Sequence, residues 1–404
     1  MNVLDLNFLK RVISSLTVKN PNFLVVEVIN HYLQITLVKA DFSSKNILIC
    51  KNWIKELSSL EVPYLLKEVK KILKKAPKKA DFNIILNLDS NLALTIYSSV
   101  SLVRPKPKEL IDEADLDNLI SQAIWRFFDK QRPKAAKKMD VEEIDVLLAD
   151  VRIRGVKVDG HKVVNPLGFK AKSVEIYLSE TFGVRDFIRG VRELMPSNKI
   201  IFVSEAGTTL SHTLLNSINE NKPLFLVNLF PNQTAVFHAS AGHLRHIDNF
   251  AWGGNSLLQN LNDNFKLDDA VSKTMIEIYN RNGGSPHLIK KLENIFMEEC
   301  QLLANGIELL APETGKIFIN PYFNLPSCLI SERFESKFNK NFKVELLSTD
   351  TVMKKTGFTI QFSKSVKKIK NLSTLSSVLL EIFLMPKNEK INYLANRRVR
   401  WLLS

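Results

Sequence analysis

Few residues in this chain are grouped as chemistry would require. His238, His243 and His246 form the nearest group of potential metal ligands, but no acid or cysteine stands with them at ligand spacing. Ser204, His212 and Asp248 could supply a nucleophile, a base and an orienting acid, yet no G-x-S-x-G turn surrounds the serine. Cys50, Cys300 and Cys328 are far apart in sequence and odd in number, which fits neither a disulfide framework nor a paired-cysteine zinc site. A reducing compartment is the default for such a chain. There is no G-x-x-x-x-G-K-[ST] and no G-x-G-x-x-G, and only 14 glycines occur in 404 residues. Ordinary phosphate cradles built from glycine turns are therefore excluded. What remains is Glu27, near the end of the apolar run FLVVEVI, and Asn228, near the end of LFLVNL. One carboxylate does not make a catalytic site. No catalytic residue and no metal ligand is assigned.

The elements around these two residues repeat. Residues 23–29, 32–38 and 47–50 read as strands, a lysine-rich helix follows, and 82–88 reads as another strand. The pattern restarts with strands at 224–229, 234–239 and 243–250, then a turn at Trp252, Gly253 and Gly254 and a helix over 256–265. Each half has an apolar strand with a polar residue near its end, a short turn and a second strand, which is the mark of an internal duplication. Between the halves lie a strand over 94–103, a helix over 111–128, a lysine-rich loop, and strands at 144–151, 152–158 and 173–178. That is a small α+β module. Helix 184–194, strand 199–203 and helix 206–218 then resume the first half. Helices at 270–282 and 286–309, strand 316–320, helix 326–338, strands 342–347 and 357–362, and helix 375–383 complete the chain.

Length and charge set the outer limits. A chain of 404 residues that is 45% apolar builds more than one core, and no apolar run is long enough to span a membrane. Met1 to Asn20 does not read as a signal peptide. The net charge of +14 favours anionic partners. The densest block holds lysines at 67, 70, 71, 74, 75, 78 and 79, with Leu65, Leu66, Val69, Ile72 and Leu73 at helical spacing between them. Two readings stand: a solvated helix face, or an anion-binding surface. No aromatic residues alternate with the lysines, which argues against a single-stranded nucleic-acid platform.

Two stretches resemble a known family. V-D-G-H-K-V-V-N-P-L-G-F-K-A-K-S-V-E, Val158 to Glu175, is similar to the end of the small domain peculiar to FtsA-like cell-division proteins of the actin/Hsp70-like ATPase superfamily. A-G-H-L-R-H-I-D-N-F-A-W-G-G, Ala241 to Gly254, resembles the family stretch that ends in a glycine pair before a helix. The resemblance runs in order over residues 21 to 385. It implies an α/β fold: a duplicated actin-like, ribonuclease H-like core with an inserted small α+β domain of the FtsA type. The implied units are a first core at 21–98 and 179–220, the insert at 99–178, a second core at 221–265 and 314–385, a reduced helical subdomain at 266–313, and a basic tail at 386–404. PilM-type pilus-assembly proteins share the duplicated core.

Working members of that superfamily hold ATP and Mg²⁺ between two glycine turns and a third glycine-rich loop. Here the matching stretches are E-V-I-N-H (Glu27 to His31), N-L-F-P-N-Q-T (Asn228 to Thr234) and I-N-P-Y-F (Ile319 to Phe323). Bulky residues and prolines replace the glycines, and Pro231 offers no N–H to a phosphate. Only Gly253 and Gly254 remain near the implied cleft, with Glu27 and Asn228 as its vestigial polar groups. The expectation is a pseudo-ATPase that uses neither ATP nor Mg²⁺.

The tail carries Arg397, Arg398, Arg400, Trp401, Leu402 and Leu403. It reads either as an interfacial amphipathic anchor on anionic lipid or as a last helix docked on the body with Trp401 buried. The resemblance implies a non-catalytic scaffold in bacterial cell division, cytoplasmic and peripheral on the inner face of the cell membrane. It would self-associate and meet an FtsZ-like or other divisome partner, with no role for nucleic acid. Two alternatives stand beside it: a nucleotide-dependent, polymer-forming ATPase, and a PilM-like adaptor that binds a partner peptide.

Overall fold

The computed structural model describes residues 22–75, 82–218, 223–240, 243–311, 313–353, 357–364, 366, 372–383, 391–395, 397 and 399. The first core opens with β1 (Asn22–Ile29), β2 (Tyr32–Asp41), β3 (Asn46–Glu56), α1 (Val62–Leu73) and β4 (Asn83–Leu88). β1 pairs antiparallel with β2 and parallel with β4, with α1 between the parallel strands. The apolar run of β1 is nearly unbroken because both faces are covered. Leu24, Val26 and Val28 enter one core, while Phe23, Val25 and Ile29 enter another.

An inserted module follows: β5 (Ala93–Val103), α2 (Glu113–Met139), β6 (Val146–Val158), β7 (His161–Val163) and β8 (Ser173–Val184). Its sheet has the order β5-β8-β6-β7. The Asp159-Gly160 pair, both at positive φ, turns β6 into β7. The module differs from the sequence expectation in two places. Residues 146–158 are one strand, β6, whose register with β8 shifts between Leu148 and Asp150 and between Ile153 and Gly155, while 144 and 145 belong to a 3₁₀ turn ahead of it. The expected lysine-rich loop is helix. α2 runs through Pro133, because Ala135, Ala136 and Met139 find buried positions beyond it and Asp140 closes the helix at φ 55.

α3 (Arg185–Leu194), β9 (Ile200–Glu205) and α4 (Ala206–Ile218) return to the first core. The second core then repeats the first with β10 (Leu224–Leu229), β11 (Thr234–Ser240), β12 (His243–Phe250), α5 (Gly254–Phe265), α6 (Asp269–Asn280), α7 (Pro286–Leu310) and β13 (Lys316–Pro321). The expected helix 326–338 is only a 3₁₀ turn, Ser327–Ile330, and the short α8 (Glu332–Glu335). β14 (Lys343–Leu346), α9 (Thr349–Met353), β15 (Thr359–Phe362) and α10 (Ser373–Phe383) end the core elements.

Among the described residues the first sheet is ordered β15-β3-β2-β1-β4-β9 and the second β12-β11-β10-β13-β14. Without β15 the two orders are the same: three antiparallel strands, then two more added in parallel. That shared order is the duplicated ribonuclease H-like core of the actin-like fold. β15 departs from the sequence reading, which placed 357–362 in the second core. It pairs parallel with β3 and so belongs to the first sheet. Leu210 and Leu214 of α4 and Leu375, Val378 and Leu379 of α10 fill a core shared with Val25 of β1 and Leu226 of β10. The outer face of the second sheet buries Phe225 and Val227 with α5 and α7 residues such as Leu257, Phe296 and Leu303. Between the second sheet's β12 and β13 the described residues hold helices α5, α6 and α7, and no described helix is long and apolar enough to cross a membrane.

Candidate functional site

The two parallel strand pairs put the polar residues at matching places. Glu27 of β1 lies beside Asn87 of β4, and Asn228 of β10 lies beside Asn320 of β13. All four are buried. Asn87 Nδ2 donates to Glu27 Oε1 at 2.9 Å, and Gln34 Nε2 donates to Oε2 at 3.1 Å. Ser204 Oγ donates to the Asn87 side-chain oxygen at 3.1 Å. In the other half, Asn320 Nδ2 donates to Asn228 Oδ1 at 2.9 Å. Burial pushes the Glu27 carboxyl up to about 7 against the hydrogen bonds that favour its charge. Glu205 is likewise raised to about 7 by burial, although Ser90, Thr208 and the Thr95 amide all donate to it. Asp89 beside them is also raised by burial. One wall of the cleft thus carries three buried carboxyls, each with its proton held more tightly than usual. The facing strand pair carries amides.

The loops above this floor close on each other. Phe230 is 2% exposed, and its ring lies 4.7 Å from that of Tyr322. Burial and the Glu27 carboxylate raise the Tyr322 hydroxyl above its ordinary range. At the start of α5 the Gly254 amide donates to the Phe230 carbonyl at 3.1 Å, and the Asn255 amide donates to Pro231 O at 2.7 Å. Two of the free N–H groups that make a helix start attractive to phosphate are used there by the chain's own carbonyls. This accounts for the two glycines that remain. A Cβ on Gly253 would stand 2.4 Å from Phe230 O, and one on Gly254 would stand 2.8 Å from the Phe323 ring. Their bareness lets the loop pack on the helix.

Between the halves, a cavity of about 10 Å³ is left beside Asn228 and Phe230. Outside the closed loops a pocket of about 400 Å³ persists, lined by His31, Pro231, Gly254, Lys273, Tyr322 and Phe323 among others. The sequence named Glu27, Asn228, Gly253 and Gly254. Asn228 lines the small cavity and Gly254 the outer pocket, while Glu27 and Gly253 line neither. Sequence reasoning did not find Asn87, and it named the stretch Ile319 to Phe323 without giving Asn320 or Tyr322 a role, because those roles depend on strand register.

A second recess, about 630 Å³, lies where the inserted sheet meets α4, lined by Tyr97, Arg154, Lys157, Tyr177, His212 and Leu244 among others. Beside it Glu381 of α10 takes Arg154 Nη2 at 2.5 Å and His212 Nδ1 at 2.5 Å. Burial alone would raise the Glu381 carboxyl, but the Arg154 charge and then His212 hold it well below the usual range. Arg154 also donates to Ser179 Oγ at 3.0 Å and to the Tyr97 hydroxyl at 3.3 Å. This network joins the insert, α4 and α10, and the sequence carried no signal for it.

The remaining candidates separate. Ser204 is bonded to Asn87, His212 to Glu381 and Asp248 to Lys138, so no triad forms. His238 meets Glu313, His246 meets Asn249, and no metal-binding group of His, Cys, Asp and Glu is found among the described residues. Cys300 and Cys328, distant in sequence, lie with their sulfurs 4.0 Å apart.

For the tail at 386–404, read either as an anchor beyond the body or as a docked last helix, the structure describes residues 391–395, 397 and 399. Its described residues are helical, and Ile391, Ala395 and Val399 are buried in the core of the insert and first sheet. The Asn392 side chain accepts from the Ile153 amide at 2.8 Å and donates to its carbonyl at 3.3 Å. Arg397 pairs with Asp117 of α2 at 2.9 Å. Arg398, Arg400, Trp401, Leu402 and Leu403 lie outside the described residues.

No protein-family model matches the chain, and no curated protein matches its sequence. Among solved structures, a PilM-PilN type IV pilus biogenesis complex is similar at 10% identity and TM-score 0.47, over 93% of this chain and 98% of that one. A ROK family transcriptional regulator, a homolog of the E. coli MLC protein, is similar at 10% identity and TM-score 0.43, over 94% and 81%. The ethanolamine utilization protein EutJ from Carboxydothermus hydrogenoformans is similar at 8% identity and TM-score 0.39, over 81% and 85%. These are distant likenesses, and the assignment of the fold rests on the strand order and register of the chain itself.

Proposed function

We propose that the chain is a non-catalytic actin-like scaffold, an adaptor that ties a partner of the cell-division or pilus-type assembly machinery to the inner membrane face. The observation that carries this reading is the Phe230–Tyr322 contact across the loops where a nucleotide's phosphates would lie. An aromatic pair and two helix amides already bonded to loop carbonyls support the reading that no polyphosphate and Mg²⁺ bind there. Isothermal titration with ATP and Mg²⁺, backed by a thermal-shift scan, tests it. The expected result is no heat and no shift up to millimolar nucleotide. Clear micromolar binding overturns it.

One observation favours the alternative of a nucleotide-dependent ATPase. The outer pocket of about 400 Å³ keeps Lys273 and Gly254 on its wall. If ATP binds there, Lys273→Ala removes the thermal shift. The recess beside Arg154 supports the adaptor reading from another side, since at about 630 Å³ it is wide enough for several residues of a partner segment. The same reading includes self-association and an FtsZ-like or other divisome partner. Sedimentation velocity across a range of protein concentrations, with and without ATP, tests the first of these.

A further inference from the structure

Helix α1 is divided cleanly into two faces. Leu65, Val69 and Ile72 are buried in the first core. Lys67, Lys70, Lys71, Lys74 and Lys75, in and just past the helix, are exposed. The positions 67, 70, 71 and 74 follow the i, i+3, i+4, i+7 rule, so the lysines make one stripe directly opposite the buried residues. Glu68 is the one acid between Val62 and Lys75, and it is buried and engaged by Lys71 at 2.5 Å. Lys55 of β3 adds a further cation close enough to lower the Glu68 carboxyl together with Lys71 and Lys67. Glu68 offsets Lys71 alone, so Lys67, Lys70, Lys74 and Lys75 present their charge to solvent with no other acid on the helix. The sequence continues the run with Lys78 and Lys79.

We propose that this α1 stripe is the surface by which the protein lies on an anionic lipid bilayer. The proposal deepens the adaptor reading, and rests on it for the choice of membrane, by placing lipid contact on α1 while the tail helix is docked. Charge complementarity carries it: closely spaced point charges on flexible hydrocarbon stems suit the smeared negative charge of lipid headgroups. The stripe holds neither the aromatic platforms that stack bases nor the arginine forks that grip single phosphates in two directions. The apolar face of α1 is already committed to the core, so the helix cannot insert. Adhesion through it is electrostatic and reversible, and salt weakens it as the screening length shrinks. Attachment through Trp401, Leu402 and Leu403 would add apolar insertion to the charge of the neighbouring arginines, and so keep part of the binding at high salt.

The test is vesicle co-sedimentation of the full chain with phosphatidylglycerol-containing and pure phosphatidylcholine vesicles. The wild type is expected to bind only the anionic vesicles and to be released as salt rises from about 0.1 M to about 0.5 M. Each lysine near the surface is worth about fivefold in affinity, so K67Q/K70Q/K74Q should weaken binding on the order of 100-fold. Its thermal unfolding should be unchanged, because these lysines face solvent. K67R/K70R/K74R should keep binding, and Trp401→Ser should leave it within a factor of about two, since salt-released adhesion owes little to apolar insertion. Three results each overturn the proposal: no binding by the wild type, binding lost with Trp401→Ser and kept by the glutamine variant, or single-stranded RNA displacing the protein from vesicles at far lower charge than lipid. Failure here leaves the ATP titration untouched, so loss of the α1 surface and loss of the adaptor reading are separate results.

Discussion

At Gly253 a methyl group would stand 2.4 Å from the carbonyl oxygen of Phe230, a backbone atom that cannot swing aside. Gly253→Ala should therefore cost about 1–3 kcal/mol of stability, read by urea denaturation, as overpacking does in tight cores. A glycine kept only for phosphate binding would show no such cost. Glu180 poses a different problem. Both of its carboxylate oxygens are buried without a hydrogen-bond partner, and burial raises the carboxyl from its ordinary 4.5 to about 9. Folding therefore takes up a proton between those two values. The stabilising protonated form is fully kept below 4.5, and stability is lost as pH rises toward about 9. Glu27 and Glu205 act in the same direction up to about 7. Glu180→Gln should flatten the fall of stability with pH by up to ~1.4 kcal/mol per pH unit above neutrality and change little near pH 4. Urea denaturation at several pH values reads the difference, and an unchanged slope would mean that Glu180 finds a partner in solution.

The tail helix shows how an element can be recruited by an edge. β6 pairs with β7 only over Val156–Val158, and Ile153 lies ahead of that pairing. The Asn392 side chain satisfies both its amide and its carbonyl, as a neighbouring strand would. Asn392→Ala should cost about 1–3 kcal/mol, because it leaves a sheathed backbone pair without partners. Amide exchange at Ile153 should quicken in the same variant, and a protected amide there would refute the role given to Asn392. α2 makes a parallel point. Pro133 removes one helix hydrogen bond, yet three buried side chains after it hold the helix to Met139. Tertiary burial outweighs a local helix breaker when enough apolar surface is at stake.

In the whole molecule the two halves are not independent. β15 leaves the second half to extend the first sheet beside β3, and α10 places Leu375, Val378 and Leu379 in the core that lies between the sheets. Glu381 of the same helix holds Arg154 of the insert and His212 of α4. Residues 21–220 expressed alone should consequently not give a stable monomer, since they lack an edge strand, one wall of the shared core and the acid that neutralises Arg154. Size-exclusion chromatography and far-ultraviolet circular dichroism check this. A well-folded fragment would mean that the shared core contributes little.

The sequence by itself determined the duplicated halves, because a strand buried on both faces must be apolar almost throughout, and the runs around Glu27 and Asn228 are. It also determined that the loops after those strands carry Phe230 and Pro231 in place of glycine, and that α1 has one lysine face. These are local properties, written in neighbouring residues. Only the tertiary structure decided that Phe230 meets Tyr322, that Asn87 and Asn320 complete the two polar pairs, and that Glu381 reaches across 169 residues to His212. It alone showed that Ile391, Ala395 and Val399 are buried, and it moved 359–362 from one sheet to the other. Contacts of that kind join segments far apart in the chain. Neither periodicity nor composition encodes which distant partner a segment will find, because that choice is made by the packing of the whole.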